Sequence, residues 1–158
     1  MVGRVGGRVR LSAGVERLSK SQDTLIIDPV RMHIVNRIAE GSTLRGEHRY
    51  SGGLLLQGAL HGGGEIGGRL VVWHDATLEG EFRVLGDLYV FGRIGAKTSD
   101  QTADPSTRIE CHGTVYLAST AVCTGEITAT RLHMYDGASL QGPFSSLKAE
   151  RILPVLND

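Results

Sequence analysis

Between Leu54 and Ala96 an aliphatic or small residue returns every six positions: Leu54, Leu60, Ile66, Val72, Leu78, Val84, Val90 and Ala96. An amphipathic helix repeats its apolar stripe at about 3.6 residues and a half-buried strand alternates, so neither explains this period. A coil of short strands does, with about six residues on each straight face and three faces to a turn. The internal pattern is apolar, any, apolar, any, Gly, any, as in Ala76-Thr77-Leu78-Glu79-Gly80-Glu81 and Phe82-Arg83-Val84-Leu85-Gly86-Asp87. The first and third side chains of such a strand point the same way, into the coil. Glycine in the fifth place is expected to turn the corner at positive φ.

Extended along the chain, the frame gives inward pairs Ser42/Leu44, His48/Tyr50, Leu54/Leu56, Leu60/Gly62, Ile66/Gly68, Leu70/Val72, Ala76/Leu78, Phe82/Val84, Leu88/Val90 and Ile94/Ala96. After a polar interruption from Thr98 to Ser106 it resumes with Ile109/Cys111, Val115/Leu117, Ala121/Cys123, Ile127/Ala129, Leu132/Met134, Ala138/Leu140 and Phe144/Ser146. Two units are short, at Ile66–Arg69 and Ile127–Arg131. The expected architecture is all-β, a three-faced parallel β-helix of about five to six turns. It divides the chain into a basic flexible arm with a covering strand (1–41), the β-helix (42–147) and a short tail (148–158). The interruption, with Asp100, Asp104 and Pro105, reads as a solvated corner loop rather than a metal site, because no convergent ligand set accompanies it.

Stacking each face on the one three units later separates the outward residues. Two faces are mostly polar or small. The third directs Leu55, Val71, Trp73, Tyr89, Phe91, Tyr116 and Tyr135 outward, most of the aromatics in the chain. An apolar stripe of that size is expected to be covered. The segment Thr24–Ile38 is the natural cover, lying along that face or over the first turn, since Val30, Met32, Ile34 and Ile38 alternate with Arg31, His33 and Arg37 after the Asp28-Pro29 break. Lateral bundling of filaments is the competing use of that face.

Charge and composition narrow the reading further. Seventeen acidic and seventeen basic residues balance in 158, so the whole molecule has no nucleic-acid-like excess of positive charge. The first twenty residues are nonetheless basic, with Arg4, Arg8, Arg10, Arg17 and Lys20 against Glu16. This arm is the candidate for peripheral contact with anionic membrane lipid. It lacks the strong apolar face of an interfacial helix. Two cysteines and no signal-like stretch fit a cytoplasmic protein.

Several runs resemble the bactofilins: Gly52-Gly53-Leu54-Leu55-Leu56-Gln57-Gly58-Ala59-Leu60, Ala76 to Phe82, Val84 to Ile94, Ala121 to Ile127 and Gly137 to Gly142. The resemblance covers about Ser42 to Leu147. It implies a right-handed β-helix that polymerises end to end without nucleotide into bacterial cytoskeletal filaments. Such filaments act in cell shape or position cell-wall and polar machinery, often at the inner face of the membrane. The long basic N-terminal segment, the loop Thr98–Ser106 and the inward His48/Tyr50 depart from the family pattern.

A solenoid has two open ends, and bare strand edges recruit other strands. The expected polymer interface therefore comprises Phe144 and Leu140 at one end and Tyr50 and Leu44 at the other. Flanking segments folded over both ends would instead leave a monomer. No catalytic, cofactor or metal residues are assigned. The alternative is a left-handed hexapeptide-repeat acyltransferase or a related trimeric zinc enzyme, which share the six-residue period. That repeat pairs a large inward residue with a small one, whereas Leu70/Val72, Phe82/Val84 and Leu88/Val90 are large at both sites. A zinc site needs about three convergent ligands, and His61, His74, His112 and His133 fall on different faces or well-separated turns. Cys111 and Cys123 read as small core residues. A third reading, a carbohydrate- or nucleic-acid-binding solenoid stacking ligands on Trp73, Tyr89 and Phe91, is disfavoured for nucleic acid by the lack of a basic groove. The expected partners are further copies of the chain, cell-wall or polar proteins and anionic lipid.

Overall fold

The computed structural model describes residues 25–97 and 104–147. The basic arm with Arg4, Arg8, Arg10, Arg17 and Lys20, most of the loop Thr98–Ser106 and the tail 148–158 lie outside the described residues. Among the described residues thirteen strands form one solenoid of about six turns, and every strand pair is parallel. In chain order they are β1 (Ile34–Ile38), β2 (Thr43–Tyr50), β3 (Gly53–Leu56), β4 (Ala59–Ile66), β5 (Leu70–Val72), β6 (Thr77–Val84), β7 (Leu88–Val90), β8 (Arg93–Ile94), β9 (Arg108–Leu117), β10 (Val122–Cys123), β11 (Glu126–Met134), β12 (Ser139–Leu140) and β13 (Phe144–Ser146). The long strands β2, β4 and β6 each bend across two faces. The face built on β3, β5 and β7 is called A, and B and C follow it around each turn.

Hydrogen-bonded register stacks like on like. Leu54, Leu70, Leu88 and Val115 form one column on face A, and Leu56, Val72, Val90 and Leu117 the next. These residues are fully buried, as are Leu60, Leu78, Ile94 and Cys123 on face B and Ile66, Val84, Cys111 and Ala129 on face C. At about 25 cal/mol per Å² of apolar area removed from water, this continuous column is the main stabilising term of the fold. The inward frame read from the sequence is thus correct for most units.

It is corrected in three. The contracted corners on the early turns lie at Gln57–Gly58 and Phe91–Gly92, not at Ile66–Arg69. Gly62 stacks on Gly80 and Gly64 on Phe82, so the inward pairs are Gly58/Leu60 and Gly64/Ile66 in place of Leu60/Gly62 and Ile66/Gly68. Likewise Gly92/Ile94 replaces Ile94/Ala96, because Ile94 stacks on Leu78. These tight corners leave no space for a side chain. A Cβ on Gly58 would sit 2.3 Å from the Ser42 carbonyl oxygen, and one on Gly92 2.3 Å from that of Trp73. Glycine there is a matter of close approach. Positive φ is used at the corner of Gly46, Gly62 and Gly80, at 107°, 124° and 121°, and also at Gly41, Gly64, Gly95 and Gly137. The short unit at Ile127–Arg131 is present as a register shift between Ala129 and Arg131.

Pairing also begins earlier than Ser42. β1 lies on face A above β3, with Asn36 over Leu54 and Ile38 over Leu56. Ile38 is therefore part of the central core and not of a cover.

The corner loop is closed by Asp104, which is buried. Its carboxylate accepts hydrogen bonds from the Ala96 N–H (2.8 Å), the Ser106 N–H (3.0 Å), the Ser106 hydroxyl (2.7 Å) and the Thr107 hydroxyl (2.8 Å). The Asp104 N–H in turn donates to Thr124 O on the next turn. Burial pushes the carboxyl pKa up, but the donors from Ala96, Ser106 and Thr107 outweigh it and hold the value at about 2. The folded value lies below the ordinary one, so this stabilisation is complete above about pH 4 and is lost as the pH falls toward 2. Asp104→Ala is expected to cost about 2 kcal/mol at pH 7 by denaturant unfolding. The difference between the natural chain and Asp104→Asn should shrink between pH 4 and 2. A pH-independent difference would contradict this role.

Candidate functional site

The two ends of the solenoid differ from everything between them. At one end the inward positions are Asn36/Ile38 on β1 and Ser42/Leu44 and His48/Tyr50 on β2. At the other they are Leu132/Met134 on β11, Ala138/Leu140 at β12 and Phe144/Ser146 on β13. Inner turns hold their aliphatic side chains at 0% exposure, whereas Leu44 is 38% and Met134 44% exposed. Tyr50, Leu132, Ala138, Leu140 and Phe144 are partly buried and pack against the same core. The four residues expected to form a polymer interface thus occupy end turns. Met134 and Leu132 belong with them, and the inward frame already held both as the start of the last turn.

The backbone is equally open. β2 pairs with β4 alone and β13 with β11 alone, and β1 and β12 terminate the longest run of paired strands. No further described strand supplies the missing partners, so within the described residues each end presents a row of parallel-ladder donors and acceptors.

Face A carries the aromatic stripe. Leu55, Val71, Tyr89 and Tyr116 stack in register, and Trp73, Phe91 and Tyr135 follow at the adjoining corner. Trp73 and Phe91 meet with ring centroids 5.0 Å apart, Tyr89 and Tyr116 stack at 4.9 Å, and Tyr135 meets His133 at 4.9 Å. Leu25, Ile27, Met32 and Ile34 pack onto the cluster of Val71, Tyr89, Phe91 and Ala118, which is buried, while Leu55, Trp73 and Tyr116 remain partly buried. Burial, followed by the nearby Asp87 charge, raises the Tyr89 phenol above its ordinary pKa. The Arg69 guanidinium donates to Met32 O at 3.1 Å and holds the cover in place.

The expected alternation of that cover fails at Val30, which is 84% exposed. Asp28 accepts from the Val30 and Arg31 N–H groups, and the Met32 N–H donates to Asp28 O and the Ile34 N–H to Pro29 O. Residues 28–33 therefore make a capped turn, and the extended strand begins only at Ile34. The contacts pass to Leu25 and Ile27, which the sequence reading had set apart behind Asp28-Pro29.

Faces B and C carry the polar residues. Ion pairs Arg49–Glu65, Arg83–Glu110 and Arg108–Glu126 bridge successive turns at 3.4–3.5 Å, each a small contribution at the surface. His61 lies 3.3 Å from Glu79 and His112 3.3 Å from Glu110, while His74 and His133 join the aromatic rings. Among the described residues no three potential ligands converge on a metal position. Cys111 and Cys123 are buried free thiols. Burial pushes them up to about 11 and about 12, which disfavours the reactive thiolate. No described helix is long and apolar enough to cross a membrane.

A family model described as "Bactofilin: Polymer-forming cytoskeletal" matches residues 36–145, a span that starts in β1 and ends in β13. No curated protein and no solved structure matches the chain.

The lone tryptophan, Trp73, reports on the cover of face A. The double variant Ile27→Asp with Met32→Asp is expected to cost about 1–2 kcal/mol per side chain. It should also red-shift Trp73 emission and raise binding of a hydrophobic dye. Unchanged emission and dye binding would mean that the segment does not seal the face in solution.

Proposed function

Because the chain belongs to the bactofilin family, we propose that it stacks end to end, without nucleotide, into filaments that serve bacterial cell shape or act as a scaffold for cell-envelope machinery. One observation carries this reading: side chains that are fully buried in the inner turns are open at both end turns, as Leu44 and Met134 are. Stacking continues the hydrogen-bond ladder and the apolar column together. Each backbone bond gained contributes about 1 kcal/mol net, and each large side chain newly buried about 1.5–3 kcal/mol. None of these contacts involves a phosphate or a metal, hence no nucleotide dependence. An end joined to an end leaves another end free, so growth is open and linear. The cover over Val71, Tyr89 and Phe91 favours the ends over face A as the growing surfaces.

The proposed location is the cytoplasm, at the inner face of the membrane. Arg4, Arg8, Arg10, Arg17 and Lys20 supply attraction to anionic lipid at about 1 kcal/mol per basic residue near the surface. Cell-wall or polar proteins are the proposed cargo of the filament.

Electron microscopy of the purified chain without nucleotide or metal is expected to show filaments, and a strictly monomeric or trimeric particle at every salt concentration would overturn the reading. Phe144→Arg places a charge where stacking would desolvate it, at a cost of several kcal/mol. It should abolish elongation while leaving the β-rich circular dichroism intact. Unchanged filaments would move the contact away from that end.

Deleting Met1–Lys20 should leave filaments intact and reduce co-sedimentation with anionic vesicles. Raised salt should do the same to the full chain. Equal lipid binding with and without the arm would remove it as the tether.

A further inference from the structure

His48 occupies an inward position that every later turn gives to glycine or to an apolar residue: Gly64 and then Phe82 beneath it, followed by Ile109, Ile127 and Phe144. Its own turn is the first on face C. Glycine directly beneath is obligatory, since a Cβ on Gly64 would lie 1.8 Å from the His48 carbonyl oxygen. The imidazole lies parallel to the Tyr50 ring, 6.4 Å away and 6° from coplanar orientation. Its Nε2 is buried and has no hydrogen-bond partner among the described residues.

The charged neighbours form no hydrogen bond with Nε2. On β2, Glu47 and Arg49 flank His48 on the outward side, and Arg49 reaches Glu65 of β4 at 3.4 Å. Also on β4, His61 is held by Glu79, and Gly62, Gly63 and Gly64 carry no charge. From β1, Arg37 bonds Gln57 and Asn36 bonds Gly53 O. No described carboxylate is bonded to Nε2 to compensate a second proton on the ring. Protonation would therefore place an unpaired cation against an apolar core, and a second copy landing on this end would remove the water that still reaches the half-buried ring.

We propose that His48 makes this end of the solenoid a pH-gated docking surface for a second copy of the chain, the two joining only while the imidazole is neutral. The inference rests on the end-to-end reading above and adds its control. Once the ring takes its proton, linkage weakens the contact by up to tenfold per pH unit of further acidification for each His48 it buries. A limiting slope of one marks a joint between unlike ends, and a slope of two a joint between two like ends.

The test is the critical concentration for assembly of the full chain, measured by sedimentation from pH 8 to 5.5 at fixed ionic strength, with circular dichroism as a check on folding. The natural chain should need tenfold or more protein at pH 5.5 than at pH 7.5. His48→Phe and His48→Gln should assemble with a flat profile, and either one that folds suffices. A flat profile for the natural chain overturns the inference alone. So does an unaltered profile in a folded variant, which would assign the effect to other groups. Filaments at no pH would overturn the end-to-end reading and this inference with it.

Discussion

Each turn of this molecule is stabilised by the turns on either side of it. In a parallel solenoid the backbone donors and acceptors of one strand bond the strands one turn above and below, and the same geometry places like side chains over like. Among the described residues two layers lack a neighbour on one side. The layer of Ile38, Leu44 and Tyr50 and the layer of Met134, Leu140 and Phe144 are made by the same repeat as the rest, yet Leu44 and Met134 are exposed and Tyr50, Leu140 and Phe144 only partly buried. A repeat protein that ends in polar capping units hides this deficit. On the end-to-end reading proposed above, a surface that lacks one more turn is completed by a copy of the chain itself.

The side faces follow a different logic. A strand buried on its inner side still has an outer side, and the three faces handle theirs separately. Faces B and C turn charge outward and tie successive turns with modest ion pairs such as Arg83–Glu110. Face A turns rings outward and is partly covered by Leu25, Ile27, Met32 and Ile34. On the reading proposed above, covering this flank directs association along the solenoid axis. Where the repeat is interrupted after Lys97, Asp104 accepts from Ala96 and Thr107 and ties together the described residues on either side.

Much of this was legible in the sequence, since a six-residue aliphatic period has few physical explanations and the inward pairs from Leu70 onward follow from it almost unit by unit. The errors fall where side-chain pattern and backbone geometry part company. Gly58 and Gly92 look like punctuation in the sequence, but each is an inward position at a contracted corner where carbonyl oxygens approach too closely for a Cβ. Apolar pattern alone therefore placed Gly62 and Gly68 inside. Ile38 seemed to belong to a cover because the hexad frame was anchored at Ser42, and nothing local distinguishes β1 from a strand laid on the outside. Val30 fits an alternating strand by type, yet Asp28 caps a turn that rotates it to solvent. The open ends were legible as the first and last units of the frame. His48 was visible as an odd inward residue, but its orphaned nitrogen is a property of three-dimensional packing.

The central claim is that filament growth continues the solenoid itself. Fibre diffraction from aligned filaments measures this directly. The account predicts a meridional reflection near 4.8 Å from strands stacked along the filament axis. It also predicts an axial protomer spacing of about 29 Å, the height of six strand layers at that rise. Filaments whose strand reflection lies off the meridian, or whose protomer spacing exceeds the height of the stacked turns, would mean that the molecules join by their sides and would contradict it.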